Sequence, residues 1–369
     1  MGGITNRIGS SSLRGQDLNP FFSLYPSASL HSVGQHSDID LQYTFGVHRY
    51  EMTETITNTS HTVNAAFNGN LGARTHLRLS NSFNNAPDYS TVNVLKGYSL
   101  TSEGFQYIFE PEIYERPSIS NSARAEFEVD LSSRSSLIFR GGASLRHYNE
   151  NDVQIYLSNQ LRIFGGLNYE RESSEYQTWK MAYNVRHSEY RDYEPSRTHS
   201  ATFGFRRKLT PNTEVDIDAG PAFTEKRSTV KSYISYDVSA RISRRFNVNV
   251  FSAGYAHRPG DSTGLGTATD SHQGNLSFSR TFGQKTSLRL QASAFRQSRR
   301  DTDFYNYWGV NAAVNLSRQL GQSWFVTAGA SYTDYVGQVN SYSDNAYARA
   351  YTSIGYRIGA NKNATNYTN

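Results

Sequence analysis

The feature that most limits what this chain can become is a two-residue alternation of apolar and polar side chains, repeated almost to its end. Residues 60–83, SHTVNAAFNGNLGARTHLRLSNSF, show it plainly. His61, Val63, Ala65, Phe67, Gly69 and Leu71 fall on one side of an extended chain. Ser60, Thr62, Asn64, Ala66, Asn68 and Asn70 fall on the other. After a short turn at Gly72–Thr75 the pattern resumes, with Leu77, Leu79 and Phe83 against His76, Arg78, Ser80 and Ser82. Successive side chains of a strand point to opposite faces, so each run has one oily face and one wet face. The pair reads as a hairpin.

The alternation recurs at Val230–Ser243, Leu288–Ala294 and Trp308–Ser317, and helical periodicity is nowhere sustained over a comparable window. Short turns punctuate it. SRRFN (243–247), SRTFGQ (279–284) and SRQLGQ (317–322) share a Ser-Arg-x-Phe/Leu core, and RRKLTPN (206–212) is a cousin. Arg207, Arg244, Arg280 and Arg318 therefore recur about every 37 residues, the mark of a repeated supersecondary unit. Each unit holds two strands, one tight turn and one longer polar connection such as 258–271 or 296–306. Weaker turns fit the same count near Gly34–Ser37, Gly72–Thr75, Ser132–Ser135 and Glu172–Tyr176. The stretch 84–117 is too irregular to assign strands.

Two architectures place one face of nearly every strand in an apolar setting: a soluble sandwich or propeller, and a membrane barrel. Strands of about 12–16 residues exceed the ordinary globular strand but suit a tilted membrane span. Tight turns alternating with long polar connections suit the two ends of such a barrel. The apolar faces are rich in Ala and Gly, thin material for the core of 369 residues but adequate against lipid. The expected fold is all-β, a transmembrane antiparallel up-and-down barrel of about 18–20 strands. Its expected extent is 21–359, with a partial first strand and loop in 1–20 and a polar tail in 360–369.

Composition narrows function. Hydrophobic residues make up 37% of the chain, yet there are 26 Tyr and 20 Phe, which argues against disorder. No run approaches the ~20 apolar residues of a spanning helix, and no charged-then-apolar signal peptide opens the chain. Without cysteine there is neither a disulfide framework nor a thiolate metal site. A net charge of +5 with interleaved signs makes no nucleic-acid footprint. Tyr43, Tyr50, Tyr169, Trp179, Tyr183, Tyr190, Trp308 and Tyr332 are candidates for interfacial girdles, with cross-strand aromatic pairing as the plain alternative.

Chemical motifs are weak. GDSTG (260–264) has the Gly-x-Ser-x-Gly form with Ser262 in the nucleophile place, but no helix follows to build the elbow. DTDFYN (301–306) begins like a calcium loop and then lacks its Gly and closing Glu. The ten His residues show no metal-ligand spacing. His147 and His199 lie near Ser residues, which leaves a barrel-embedded hydrolase as a minor alternative. No catalytic residue, cofactor or metal is expected.

Residues 26–50 and 60–88 carry a resemblance. Pro26, Leu30, Ser37, Asp38, Tyr43, His61, Leu71, Arg74, Leu77 and Leu79 are arranged similarly to the β-barrel porins associated with bacterial exopolysaccharide-export systems. The resemblance implies an outer-membrane barrel whose lumen passes a secreted polysaccharide, with lipid, polysaccharide and periplasmic export proteins as partners. On this reading the polar faces line a pore. Arg78, Arg124, Arg140, Arg146, Lys180, Arg186, Lys231, Arg241, Arg289 and Arg349 attract an anionic polymer. Glu126, Glu128, Asp130, Asp216, Asp218 and Asp237 keep it from binding tightly, and Tyr233 and Tyr156 offer stacking faces. A closed structural or adhesive barrel is the competing expectation.

Overall fold

The structure, a computed structural model, describes residues 2–13, 19–51, 55–86, 98–101, 104–107, 118–148, 159–190, 195–226, 232–259, 269–283, 285–299, 306–321, 323–337 and 345–358. They form strands β1 (Gly2–Leu13), β2 (Asn19–Val33), β3 (Ser37–Glu51), β4 (Thr55–Gly72) and β5 (Thr75–Ala86). A small hairpin, β6 (Tyr98–Thr101) and β7 (Gly104–Tyr107), lies within 84–117 and pairs only with itself. Next come β8 (Ser118–Ser132), β9 (Ser135–Tyr148), β10 (Gln160–Ser174), β11 (Gln177–Tyr190), β12 (Ser196–Thr210) and β13 (Thr213–Lys226). The chain continues through β14 (Tyr233–Phe246), β15 (Asn249–Pro259), β16 (Thr269–Phe282) and β17 (Thr286–Arg299). It ends with β18 (Asn306–Gln319), β19 (Trp324–Gly337) and β20 (Asn345–Ile358).

Eighteen of these strands make one antiparallel sheet in chain order, β5 passing to β8. β1 pairs with β2 on one edge and with β20 on the other, so the sheet closes on itself. The ladder thus begins at Gly2, inside the segment expected to hold only a partial strand. Residues 360–369 lie outside the described residues. Strands about 4.8 Å apart and tilted about 40° give eighteen of them a backbone radius of roughly 18 Å, wide enough for an aqueous bore.

The tight turns fall where the alternation breaks. β4–β5, β8–β9, β10–β11, β12–β13 and β14–β15 each turn through two residues, and all tight turns gather at one end of the barrel. In the Ser-Arg-x-Phe repeats the strand runs to Phe246 or Phe282. The next residue, Asn247 (φ 52°) or Gly283 (φ 59°), takes the left-handed conformation those residue types tolerate. The opposite end holds the longer connections, the widest being 87–117.

Cross-strand register separates two faces. On one, Leu30 faces Leu41, Phe127 faces Phe139, Leu167 faces Tyr183 and Met181 faces Phe203. These side chains are exposed: Leu30 by 59%, Met181 by 56% and Phe203 by 54%. Only Ile138, Tyr190, Ala222 and Phe295 are fully buried apolar residues among those described, whereas fourteen buried residues are polar or charged, mostly Ser and Thr. A soluble β protein cannot leave its apolar faces outside and hold no core, so the apolar wall is a lipid-facing one.

The polar face is the concave one. Lys180 on β11 reaches Asp218 on β13 at 2.9 Å, and Tyr351 on β20 donates to Asn315 on β18, each across an intervening strand. Side chains converge in this way only on the inside of a curved sheet.

Leu276, mid-strand on β16, is 52% exposed on the lipid face, and Ser277 beside it points inward. Leu276→Arg is expected to cost about 2–4 kcal/mol. Ser277→Arg should stay within about 1 kcal/mol, because lumen positions are hydrated. Guanidinium unfolding of the two variants in phospholipid vesicles measures the difference, and equal costs would contradict the assignment of faces.

Candidate functional site: the charged inner wall

The inner wall is chemically lopsided. From β15 to β20 its described side chains are chiefly neutral amides, hydroxyls and small residues, including Ser252, Gln273, Asn275, Gln291, Asn311 and Thr327. Charge concentrates on β5 and on β8 to β14. There it forms two networks near the tight-turn end, with an arc of arginines further along.

In the first network Glu126 on β8 lies between two arginines. Arg78 on β5 donates to one of its oxygens, and Arg140 Nε on β9 donates to the other at 2.6 Å. Arg78 also lies 3.5 Å from Glu128, and His76 Nε2 lies 3.5 Å from Asp130. Register sets this arrangement, because Glu126 is directly opposite both Arg78 and Arg140. Opposed residues on one face lie within side-chain reach.

The second network skips a strand. Lys180 Nζ donates to Asp216 and, at 2.9 Å, to Asp218, both on β13. Between them on β12 stands Gly204, where a Cβ would collide with the Asp218 carboxylate and the Ile217 carbonyl. Glycine is required there so that lysine and aspartate can meet over the strand. Gly329 serves Tyr351 and Asn315 in the same way on β19. Arg206 completes the cluster, with Nε 3.2 Å from Asp216 and 3.7 Å from Glu214, and a guanidinium nitrogen 4.0 Å from Glu170. Ser239 Oγ donates to Asp218 at 3.3 Å.

The arc occupies four adjacent strands: Arg124 on β8, Arg146 on β9, Arg162 on β10 and Arg186 on β11. Their register partners on the same face are Ser80 and Gly142, Ser120 and Gln160, Ser144 and Ser188, and Phe164 and Thr198. None of these partners is a carboxylate.

The residues singled out from sequence are thus dispersed. Arg78, Glu126, Glu128, Arg140, Lys180, Asp216 and Asp218 come together in the networks, with Asp130 joined through His76. Arg124, Arg146 and Arg186 stand in the arc. Arg241 faces Asp216 in register, Asp237 faces Gly220, Tyr233 faces Thr224, and Arg289 faces Asn315. Arg349 is paired in register with Ser331 and Ser11. Lys231 and Tyr156 lie outside the described residues. Glu170, Arg206 and Arg162 were missed, although carrying strand parity through β10 and β12 would have found them. His76 and Glu214, which the alternation puts on polar faces of β5 and β13, were left out of the pore-lining set.

Of the girdle aromatics, Tyr43, Trp179, Tyr183, Trp308 and Tyr332 are exposed on the lipid face, but Tyr190 is buried on the polar one. His199, weighed as a hydrolase base, is hydrogen-bonded through Nδ1 to Tyr183 Oη at 2.7 Å. Ser262 and Asp301 with Asp303 lie outside the described residues. Among the described residues no three His, Asp or Glu side chains gather as metal ligands.

No protein-family model matches the sequence, and no curated protein matches it. Solved structures do. Pseudomonas aeruginosa OccK5 (OpdH) shares 11% identity with a TM-score of 0.50, covering 97% of this chain and 98% of the other. P. aeruginosa OccK2 (OpdF), crystallised in complex with glucuronate, shares 10% identity with a TM-score of 0.50, covering 96% of this chain and 97% of the other. The fold is a porin-type transmembrane β-barrel. The expected fold class is therefore correct, with 18 strands in the barrel.

Lys180 is 13% exposed and holds two carboxylates that are 23% and 26% exposed. Lys180→Met should destabilise the barrel by about 1–2 kcal/mol, less than for a deeply buried pair, because lumen water screens the orphaned charges. Gly204→Val should give a similar loss by driving the partners apart. The urea midpoint reads both losses, and for Lys180→Met the loss should shrink in 1 M salt.

Proposed function

We propose that the chain works in the bacterial outer membrane as a passive, water-filled channel for anionic solutes. The observation that carries this reading is the arginine arc on β8–β11, placed over networks in which Arg78, Arg140, Lys180 and Arg206 engage carboxylates that outnumber them. Permanent guanidinium charge on one side of a bore raises the local concentration of anions and offers bidentate contacts to carboxylates. The largely neutral amide and hydroxyl wall opposite, interrupted by Arg289 and Arg349, supplies exchangeable hydrogen bonds. Binding is kept weak because the nearest acidic groups compete, the balance a conducting site needs.

The residues named from sequence as pore-lining, Lys231 and Tyr156 aside, are given this role here because their strand parity is that of the polar face. Sugar carboxylates are a suitable solute class, and the porin-fold neighbour crystallised with glucuronate is consistent with that chemistry. An acidic exopolysaccharide, the solute implied by the resemblance of residues 26–88 to export-associated porins, is a polymer of the same class. It would meet the same arc.

In a planar bilayer under a KCl gradient, the wild-type barrel is expected to conduct with a reversal potential on the anion-selective side. Changing Arg124, Arg146, Arg162 and Arg186 together to Gln should bring selectivity to near unity, with conductance retained. In vesicle-swelling assays the same variant should lose several-fold of its preference for glucuronate over glucose. Conductance near zero in the wild type would favour a closed structural barrel, and unchanged selectivity in the variant would remove the arc from the mechanism.

A further inference from the structure

The Ser-Arg repeat noticed in the sequence has no part in the lumen. Register places Arg207, Arg244, Arg280 and Arg318 on the lipid face of β12, β14, β16 and β18, each within the last four residues before a tight turn. Arg171 on β10 occupies the equivalent place and extends the series to five consecutive hairpins. All five are exposed. None of their direct register partners is a carboxylate. Those on the ascending strands are apolar: Trp179, Val215, Phe251, Leu288 and Val326. The Arg244 guanidinium lies 5.9 Å from the Phe246 ring centre, and that of Arg280 lies 4.8 Å from the Phe282 ring centre.

A second ring fixes the level of the first. Tyr43, Tyr183 and Tyr255 each stand six residues along the strand that follows a tight turn. Each is hydrogen-bonded through Oη to a histidine Nδ1 on the next strand: His61 at 2.9 Å, His199 at 2.7 Å and His272 at 2.8 Å. Along those strands each histidine lies ten residues from an exposed apolar residue at the turn: Leu71, Leu209 and Phe282. Ten residues of a strand tilted about 40° rise roughly 25 Å, the height of the apolar band on an outer-membrane-type barrel. The polar Tyr–His rungs therefore mark one edge of the hydrocarbon, and the five arginines stand at the other.

We propose that Arg171, Arg207, Arg244, Arg280 and Arg318 form a girdle that binds the phosphate groups of membrane lipids in the leaflet at the tight-turn end, the periplasmic one in barrels of this type. Permanent positive charge, exposure on the lipid wall and the headgroup level together call for an anionic partner, and phosphate is the anion a bilayer presents there. The apolar residue between each pair of arginines seats the upper acyl chain and lets each guanidinium snorkel outward.

The test is dipolar-coupling solid-state NMR between 15N-labelled arginine guanidinium groups and lipid 31P, with the barrel refolded in phosphatidylglycerol vesicles. Wild type is expected to show 31P dephasing of guanidinium signals. A variant with all five positions changed to Gln, folded as judged by heat-modifiable gel mobility and retaining its lumen arginines, should lose most of it. If five changes prevent folding, Arg244→Gln with Arg280→Gln should lose about two-fifths of the girdle signal. In dodecyl maltoside with inorganic phosphate the dephasing should be absent. No dephasing in wild-type vesicles, full retention in the folded variants, or an equal signal from free phosphate would each overturn the proposal.

Discussion

Closure of the ladder between β1 and β20 is the constraint on which every other feature of this chain depends. Hydrocarbon offers no partner to a peptide N–H or C=O, so a sheet with an open edge could not sit in it. Once β1 satisfies both β2 and β20, every strand has two neighbours and side-chain parity becomes a partition between two solvents. The oily parity meets lipid and needs only bulk and shape, which is why Ala and Gly suffice there. The polar parity meets water held in a confined space and must be satisfied by water or by itself. Two of the most buried side chains bear this out: Thr224 and Thr333, at most 1% exposed, are hydrogen-bonded to Thr198 at 3.0 Å and to Asn311 at 2.7 Å.

On the inner wall the charges are arranged economically. A lone carboxylate within a bore can hydrate, so these acids do not require partners as core acids would. Their pairing instead limits net charge near the tight-turn end to what Arg78, Arg140, Lys180 and Arg206 leave over. Gly204 and Gly329 show how backbone choice supports this, because removing a side chain from one strand lets the two flanking strands interact. The arc lies further toward the long-connection end and is built differently. Four arginines in sequence around the wall have Ser, Gln, Gly, Phe and Thr as their register partners, so no carboxylate stands directly opposite any of them.

Much of the barrel was legible in the sequence because period-two alternation and turn chemistry are both local. GARTHLRL turns at Ala73–Arg74, and SRRFN turns just after its Phe, as the residues dictate. The lumen was less legible where the alternation is broken for tertiary reasons. In QLRIFGGLNYERESS the adjacent Ile163 and Phe164 blur the parity, so Arg162 and Glu170 were passed over. The cause is non-local: Phe164 takes the polar face, its ring lying over Gly142 of β9, where a Cβ would come within 2.6 Å of it. In RRKLTPN the whole segment reads as a turn, but β12 runs on to Thr210, with a register irregularity between Lys208 and Thr210 that only the pairing reveals. Arg206 was hidden by that extension.

Neighbouring arginines at the turns connect the two surfaces. Arg206 and Arg207, like Arg245 and Arg244, are adjacent in sequence and therefore face opposite solvents. Arg206 completes the Asp216 network inside, while Arg207 stands on the lipid wall beside Val215. A slip of one residue in β12 would exchange them, placing a carboxylate-seeking guanidinium in lipid and the girdle residue in the bore. The Pro211–Asn212 turn that closes the β12–β13 hairpin thus fixes both sites at once. The same holds for β14, where Asn247 in its left-handed conformation sets which of Arg244 and Arg245 looks outward. Conserving the length of a two-residue turn is in this fold a requirement of electrostatics as well as of pairing.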